Sequence, residues 1–192
     1  MVDTVNFWNW FKINCRHLHS NKYPNDTFKE LDKRVYSMGL YWEVGPGVKK
    51  ENLLTISVSG RRELLDKARS LLANAPILDD WEFDLLKKPK KNWDKLEIPG
   101  DNIKISAANW TYVLLKYEDG KKEILIKADT LSDFEKDKRI ELAEIVLTNL
   151  IGEEKLMDEL NYLDVLEVED STYETQDIRD LEEHLDYLKN DA

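Results

Sequence analysis

Ser59-Gly60-Arg61-Arg62 has the residue types and the spacing of an anion-binding site. The four residues follow a predicted strand and open a predicted helix. A helix N-terminus offers free N–H groups and a positive end, and two arginines beside it suit a phosphate or a carboxylate. We predict Ser59, Gly60, Arg61 and Arg62 as an anion or ligand contact. The alternative is an ordinary Ser or Gly cap, because the glycine pattern of a phosphate loop is missing.

Cys15, His17 and His19 are the residues closest to a metal-ligand pattern. Cys15 and His19 are one helical turn apart and could share an ion, whereas His17 points elsewhere. Zinc needs three or four ligands, and the sequence has no second Cys/His cluster. We therefore predict no metal, no cofactor and no nucleophilic thiol.

Acidic pairs such as Glu82/Asp84 and Glu182/Glu183 are the remaining source of acid–base chemistry. With 39 acidic residues, such pairs arise by chance. The nucleophile elbow, the zinc-protease helix and the calcium loop are all missing from the sequence. These observations favour a protein that is not an enzyme, and we assign no catalytic residues.

Tryptophans and lysines indicate contact with another molecule. Trp8 and Trp10 lie two apart on a predicted helix and cannot face the same way, so one is expected at a boundary. Lysines around an aromatic, as in the lysine segment (residues 87–95), are typical of single-strand binders. The alternatives are two core tryptophans and a solvated loop that protects a sheet edge. The predicted interaction surface consists of Trp8, Trp10, Lys88, Lys90, Lys91 and Trp93.

Negative charge is concentrated at the end of the chain. The net charge is −11, yet residues 153–192 hold 15 acidic and 3 basic residues, and the other 152 residues hold 24 and 25. We therefore expect no nucleic acid or anionic membrane as partner. Rapid, salt-sensitive association with a basic protein is favoured. The tail is also predicted to lie against the lysine segment.

The number of cysteines and the distribution of apolar residues predict the cellular compartment of the protein. One cysteine, Cys15, excludes an internal disulfide and favours a reducing compartment. The first residues lack a basic start and an apolar stretch, which predicts no signal peptide. No apolar run reaches the roughly 18 residues that cross a bilayer. The sequence thus predicts a cytoplasmic protein without membrane contact.

The elements that must position these residues occur in a repeated order. The first set comprises a hairpin (40–44 and 53–58), a helix (61–75) and a strand (81–85). The second comprises a hairpin (112–117 and 123–127) with its turn at Asp119-Gly120, a helix capped by Ser132 or Asp133, and a strand (162–168). We predict an α+β fold of two ββαβ-like halves with mainly antiparallel sheet. Two N-terminal helices pack alongside, the first capped by Asp3 or Thr4 and the second by Asn25 or Asp26. An acidic C-terminal amphipathic helix (171–192) docks on a single domain (1–170).

Four segments resemble a known group of proteins. They are Phe7-Trp8-Asn9-Trp10-Phe11, Ile56-Ser57-Val58-Ser59-Gly60, Ala75 to Phe83, and Lys88-Pro89. These segments are similar to uncharacterised bacterial proteins that open with a Trp-Phe helix and carry an Ala-Pro junction before Trp-Glu-Phe. The resemblance extends to about residue 168. It implies a bacterial cytosolic protein and transfers no catalytic or binding residues.

Together, these observations favour a non-catalytic interaction protein, of accessory or immunity type, with a basic protein partner. The alternative is an enzyme or small-ligand binder whose site is assembled from distant residues, such as Arg61 and Arg62.

Overall fold

The α+β class is confirmed by a computed structural model that describes residues 4–19, 23, 25–98, 102–167 and 173–190. Within these ranges the chain forms six helices and nine strands in open mixed sheets. Its contacts divide it into two compact units, Met1–Lys87 (unit 1) and Lys88–Ala192 (unit 2). No helix in the described ranges combines the length and the apolar character that a bilayer span requires.

Unit 1 is built from three helices and a three-stranded sheet. The elements are α1 (Thr4–Asn14), α2 (Asp26–Ser37), β1 (Tyr41–Pro46), β2 (Asn52–Ser57), α3 (Leu65–Leu72) and β3 (Trp81–Leu85). Strand β2 is central, antiparallel to β1 and parallel to β3. The hairpin, helix and parallel strand form the first predicted ββαβ half.

Helix α2 forms because local signals and burial agree. The Asn25 side chain accepts the N–H groups of Thr27 and Phe28 at 2.8 and 3.1 Å, so the predicted cap is confirmed. The apolar stripe Phe28, Leu31, Val35 and Met38 is buried as its helical spacing predicts. Gly39 follows with φ +72°, a left-handed conformation that ends a helix without steric cost.

The aromatic face of α1 packs into the core of unit 1. The Trp8 and Phe11 rings meet Phe83 of β3 edge to face, with centroids 4.8 and 5.5 Å apart. The Trp8 indole N–H donates to the Leu71 carbonyl at 2.8 Å, which satisfies its one polar atom. Helix α1 is thereby joined to both the sheet and α3.

Unit 2 is built from a hairpin, a four-stranded sheet and three helices. The elements are β4 (Lys95–Ile98), β5 (Ile103–Ser106), β6 (Thr111–Lys116), β7 (Lys122–Lys127), α4 (Lys136–Ile151), α5 (Glu153–Glu159), β8 (Tyr162–Val165), β9 (Gln176–Asp177) and α6 (Leu181–Asn190). The large sheet has the order β8-β7-β6-β9, and only the β7–β8 pair is parallel. The second ββαβ half is therefore present, with β9 added beside β6.

The core of unit 2 lies on one face of its large sheet. Tyr112, Ile124 and Ile126 contribute from the strands, and Ile178, Leu181 and Leu185 from the C-terminal segment. The Tyr112 hydroxyl lies 3.0 Å from Gln176 Oε1 and 2.9 Å from His184 Nδ1. Burial, followed by the negative charge of Asp180, raises the pKa of Tyr112 to about 12.

The two halves share more than their element order. Asp84 on β3 and Asp164 on β8 each accept the N–H of the next residue at 2.8 Å. Directly after each strand, Leu86 donates to Ile56 at 2.9 Å and Leu166 donates to Ile126 at 2.8 Å. The third strand therefore joins the hairpin in the same register in both units.

Several predicted boundaries were wrong. The helix predicted at residues 61–75 is a 3₁₀ turn (Arg62–Leu64) followed by the shorter α3, and α4 begins at Lys136 rather than after Ser132 or Asp133. Ser132 instead closes the turn Asp129–Leu131, its hydroxyl donating to the Asp129 carbonyl at 2.9 Å. The predicted cap Asp3, the strand end Val168 and the tail start Ser171 lie outside the described residues.

Candidate functional site

The predicted anion contact is occupied by interactions within unit 1. Ser59 (φ 49°) and Gly60 (φ 73°) form the turn after β2, and the Arg61 N–H donates to Val58 at 3.1 Å. The Arg61 guanidinium donates to the Gly39 carbonyl at 2.7 Å and lies 5.1 Å from the centre of the Tyr41 ring. Arg61 thus fixes the corner between α2 and β1. Anion binding by Ser59, Gly60, Arg61 and Arg62 stays a prediction.

The two N-terminal tryptophans occupy different environments, as their spacing requires. Trp8 is 3 % exposed in the core of unit 1. Trp10 is half-buried, and the Arg34 guanidinium carbon lies 4.9 Å from the centre of its ring. Of these two tryptophans, Trp10 therefore offers more indole surface to a partner.

The lysine segment spans the boundary between the two units. Lys88, Lys90 and Lys91 are exposed, and the Lys90 N–H donates to the Asn149 carbonyl at 2.7 Å. Trp93 packs against the core of unit 2. The Asp94 carbonyl also accepts the Ala107 N–H at 2.8 Å, so backbone hydrogen bonds and the Trp93 ring together anchor the segment to unit 2. Its proposed contact with the acidic tail stays a prediction.

Cys15, His17 and His19 are not brought together with other ligands in the ranges that the structure describes, where no group of three metal-ligating residues occurs. His19 Nδ1 lies 3.0 Å from Asn52 Oδ1. Partial burial is the main reason that the pKa of the Cys15 thiol is raised, which keeps the thiol protonated and weakly nucleophilic.

A cleft lined by tyrosines lies at the hairpin end of the large sheet in unit 2. The tyrosine cleft measures about 570 Å³ and is lined by Tyr117, Glu118, Asp119, Lys121 and Tyr162. Tyr117 and Tyr162 keep 44 % and 50 % of their surface exposed. This cavity is large enough to admit a side chain of another protein.

The hairpin turn and the strand register place these tyrosines. Asp119 and Gly120 form the predicted turn, with Gly120 at φ +82° and its N–H donating to the Tyr117 carbonyl at 3.0 Å. Across the sheet, Tyr162 on β8 is the partner of Glu123 on β7. Paired positions point to the same face, so Tyr162 shares a face of the sheet with Glu123, which the Tyr117 hydroxyl contacts.

Polar contacts fix the side chains of the cleft. The Tyr117 hydroxyl donates to the Glu123 carboxylate, and Lys121 Nζ lies 2.6 Å from Asp119 Oδ2. Tyr162 also lies close enough to Lys121 to contribute to the raised pKa of its ammonium. The Glu118 side chain makes no hydrogen bond or ion pair with any residue in the described ranges. The cleft therefore keeps one carboxylate available.

Among the described side chains, each pKa that departs from its ordinary value departs in the direction away from neutrality. In the cleft, the hydrogen bond to Glu123 raises the pKa of Tyr117, and the hydrogen bond between Lys121 and Asp119 raises the pKa of the lysine and lowers that of the aspartate. Elsewhere, Arg179 lowers the pKa of Asp177 to about 2. General acid–base catalysis needs a pKa near the working pH, so none of these shifted groups is placed for it.

A smaller polar cavity of about 250 Å³ lies at the opposite end of β6 and β7. Asn109, Lys127, Asp129 and Thr130 line it, and the Trp110 indole N–H donates to the Thr130 hydroxyl at 2.8 Å. Lys127 forms no ion pair in the part of the chain that the structure describes. The Lys127 ammonium beside amide and hydroxyl groups suits a small polar anion, whereas the Asp129 carboxylate in the same lining opposes it.

Comparison with protein-family models, with curated proteins and with solved structures finds no match for this chain. The resemblance to uncharacterised bacterial proteins therefore stays a prediction, and the functional argument depends on the side chains themselves.

Sequence reasoning missed the tyrosine cleft. The Asp119-Gly120 turn was recognised, but nothing local connects Tyr117 with Tyr162, because strand β8 follows a crossover of two helices. The sequence did carry one signal. Tyr117 is the last residue of one predicted strand (112–117), and Tyr162 is the first residue of another (162–168). Only the register of β7 with β8 brings them together.

Proposed function

We propose that this chain is a non-catalytic cytoplasmic protein of accessory or immunity type that binds a basic protein through unit 2. The observation that carries the proposal is a cluster of half-exposed tyrosines within an acidic unit. Unit 2 holds 27 acidic and 15 basic residues, whereas unit 1 holds 12 and 13. Tyrosine is enriched at the centres of interfaces, and acidic surfaces accelerate association with basic partners.

The C-terminal helix adds to this acidic surface. Glu182 and Asp186 both pair with Lys155, at 3.2 and 2.7 Å, and so hold α6 to α5. Glu183 has no such partner in the described ranges, and Tyr187 one turn later is 63 % exposed. One side of α6 therefore serves the fold, while the other is available to a partner.

The test is purification of the untagged protein from its own host at low salt, with identification of what accompanies it. We expect one stoichiometric basic protein that dissociates near 0.5 M salt, where screening acts over roughly 4–5 Å. The double variant Glu174→Gln/Glu183→Gln in unit 2 should slow association. The matched control Glu63→Gln/Asp79→Asn in unit 1 removes the same charge and should not. A monomer that associates with nothing would contradict the proposal.

A second candidate function is small-anion binding, favoured by Lys127 in the polar cavity. It predicts that a thermal-shift screen of small carboxylates and phosphates finds a stabilising compound. The stabilisation should disappear in Lys127→Ala and persist in Lys122→Ala, which removes a lysine from the other end of the same strand. A screen without such a compound would count against this function.

A further inference from the structure

We propose that the tyrosine cleft binds an arginine side chain of the partner, with the guanidinium between the Tyr117 and Tyr162 rings. This inference depends on the proposed function and adds the chemistry of recognition. It assigns the cleft to one occupant, a cationic side chain presented by a basic protein.

The rings offer the right surface. Tyr117 and Tyr162 are about half exposed, and Tyr173, which is 44 % exposed, lies close enough to Tyr117 to contribute to its raised pKa. The Tyr117 hydroxyl is committed to Glu123, so its ring offers a π face rather than a polar edge. A planar guanidinium stacks on the face of a tyrosine ring better than an ammonium does.

The charges around the rings favour a cation. Glu118, Asp119 and Glu123 surround the cleft, and Lys121 is the one basic residue among the described residues that line it. Lys121 is already paired with Asp119, so Glu118 remains to accept the two parallel N–H groups of a guanidinium. Charge complementarity therefore selects arginine over a neutral or an anionic group.

Lys121 makes the proposal sharply testable, because it is a competing cation within the cleft. Its ammonium neutralises Asp119 and repels a second positive charge. Removing Lys121 should therefore strengthen the binding of arginine. If Lys121 only supported the hairpin, its removal would not strengthen that binding. We expect Lys121→Ala to bind an arginine peptide about three- to tenfold more tightly, a change of roughly 0.7–1.4 kcal/mol.

The experiment titrates the full-length protein, carrying ring-labelled tyrosine, with blocked pentapeptides of glycine and serine around one central arginine, lysine or citrulline. In NMR spectra, the Tyr117 and Tyr162 signals should shift with the arginine peptide at millimolar concentration. The shifts should be weaker with lysine and absent with citrulline, which has the shape of arginine without its charge. Tyr162→Ala and Glu118→Gln should each weaken binding, while Tyr36→Ala, an exposed tyrosine of unit 1, should not.

Three outcomes would overturn the inference: equal shifts with citrulline, no tightening in Lys121→Ala, or shifts induced by an oligothymidylate instead of the arginine peptide. Because Glu118 is exposed, Glu118→Gln gives a readout even where Tyr162→Ala disturbs β8. A host partner that binds Tyr162→Ala and Glu118→Gln as well as wild type would overturn this inference alone. Absence of any partner would contradict the proposed function instead.

Discussion

Glu82 shows how a single carboxylate can serve the fold rather than catalysis. Its side chain accepts the N–H groups of Val48, at 3.3 Å, and of Lys49 and Lys50, which closes the loop between β1 and β2. Desolvation acts to raise its pKa, but the three donors together lower it. The sequence showed Glu82 only as half of a chance acidic pair, because its partners lie more than thirty residues earlier.

Glu82→Gln should reduce stability at pH 7, because the amide keeps only one acceptor oxygen for three N–H donors. A carboxyl whose pKa is lowered on folding stabilises above its unfolded pKa, and the contribution is lost as the pH falls through the folded pKa. The difference in the free energy of unfolding between variant and wild type should therefore shrink from pH 7 towards pH 3. Urea denaturation at several pH values measures it. Asp79→Asn is the exposed control, and an equal loss at pH 7 and pH 3 would contradict the role of charge.

At the scale of elements, prediction succeeded where the signals are local. Asn25 as cap, the stripe of α2 and the Asp119-Gly120 turn depend on residues a few positions apart, and the structure confirms them. Helix α5 and strand β9 were missed because they are short and stabilised by tertiary contacts. Gly152, at φ +83°, separates α4 from α5, and β9 forms only two pairs, with Thr111 and Tyr112.

The ββαβ repeat, too, could be predicted from the sequence only in part. The order of elements was readable from hydrophobic periodicity, since each half has its own hairpin, helix and strand. The equivalence of Asp84 with Asp164 was not readable, because the helical crossovers differ in length and displace the two halves along the sequence. The halves have in common the register of the third strand and the aspartate near its end.

Helix α6 should contribute strongly to the stability of unit 2. Leu185 is completely buried in the core of unit 2, whereas Tyr187 on the same helix is 63 % exposed. Leu185→Ala removes buried methyl groups and leaves a cavity, so we expect a loss of about 2–5 kcal/mol in the free energy of unfolding. Tyr187→Ala should change it by less than about 0.5 kcal/mol. Chemical denaturation compares the two, and equal effects would show that α6 does not pack as described.

At the scale of the whole molecule, charge and aromatic surface coincide in unit 2. The sequence located the acidity in its last forty residues but placed the interaction surface on Trp8, Trp10 and the lysine segment. Trp8 is instead a core residue of unit 1, because its indole is more stable packed against Phe83 and bonded to the Leu71 carbonyl than exposed to water. Spacing gives the relative orientation of two side chains on a helix, but it cannot say which of them faces the core.

The two units should fold as separate fragments when the chain is divided between Lys87 and Lys88. Each has its own sheet and its own buried residues, and lengths of 87 and 105 residues are sufficient for a core. We expect a cooperative urea transition for each fragment, followed by the fluorescence of Trp8, Trp10, Trp42 and Trp81 in one and of Trp93 and Trp110 in the other.

Fragment 88–192 should retain the basic partner and fragment 1–87 should not, because the tyrosine cleft and the acidic surface of α6 belong to unit 2. A fragment 88–192 without a cooperative transition would instead support the single domain of residues 1–170 that the sequence predicts, since its core would then require the preceding residues.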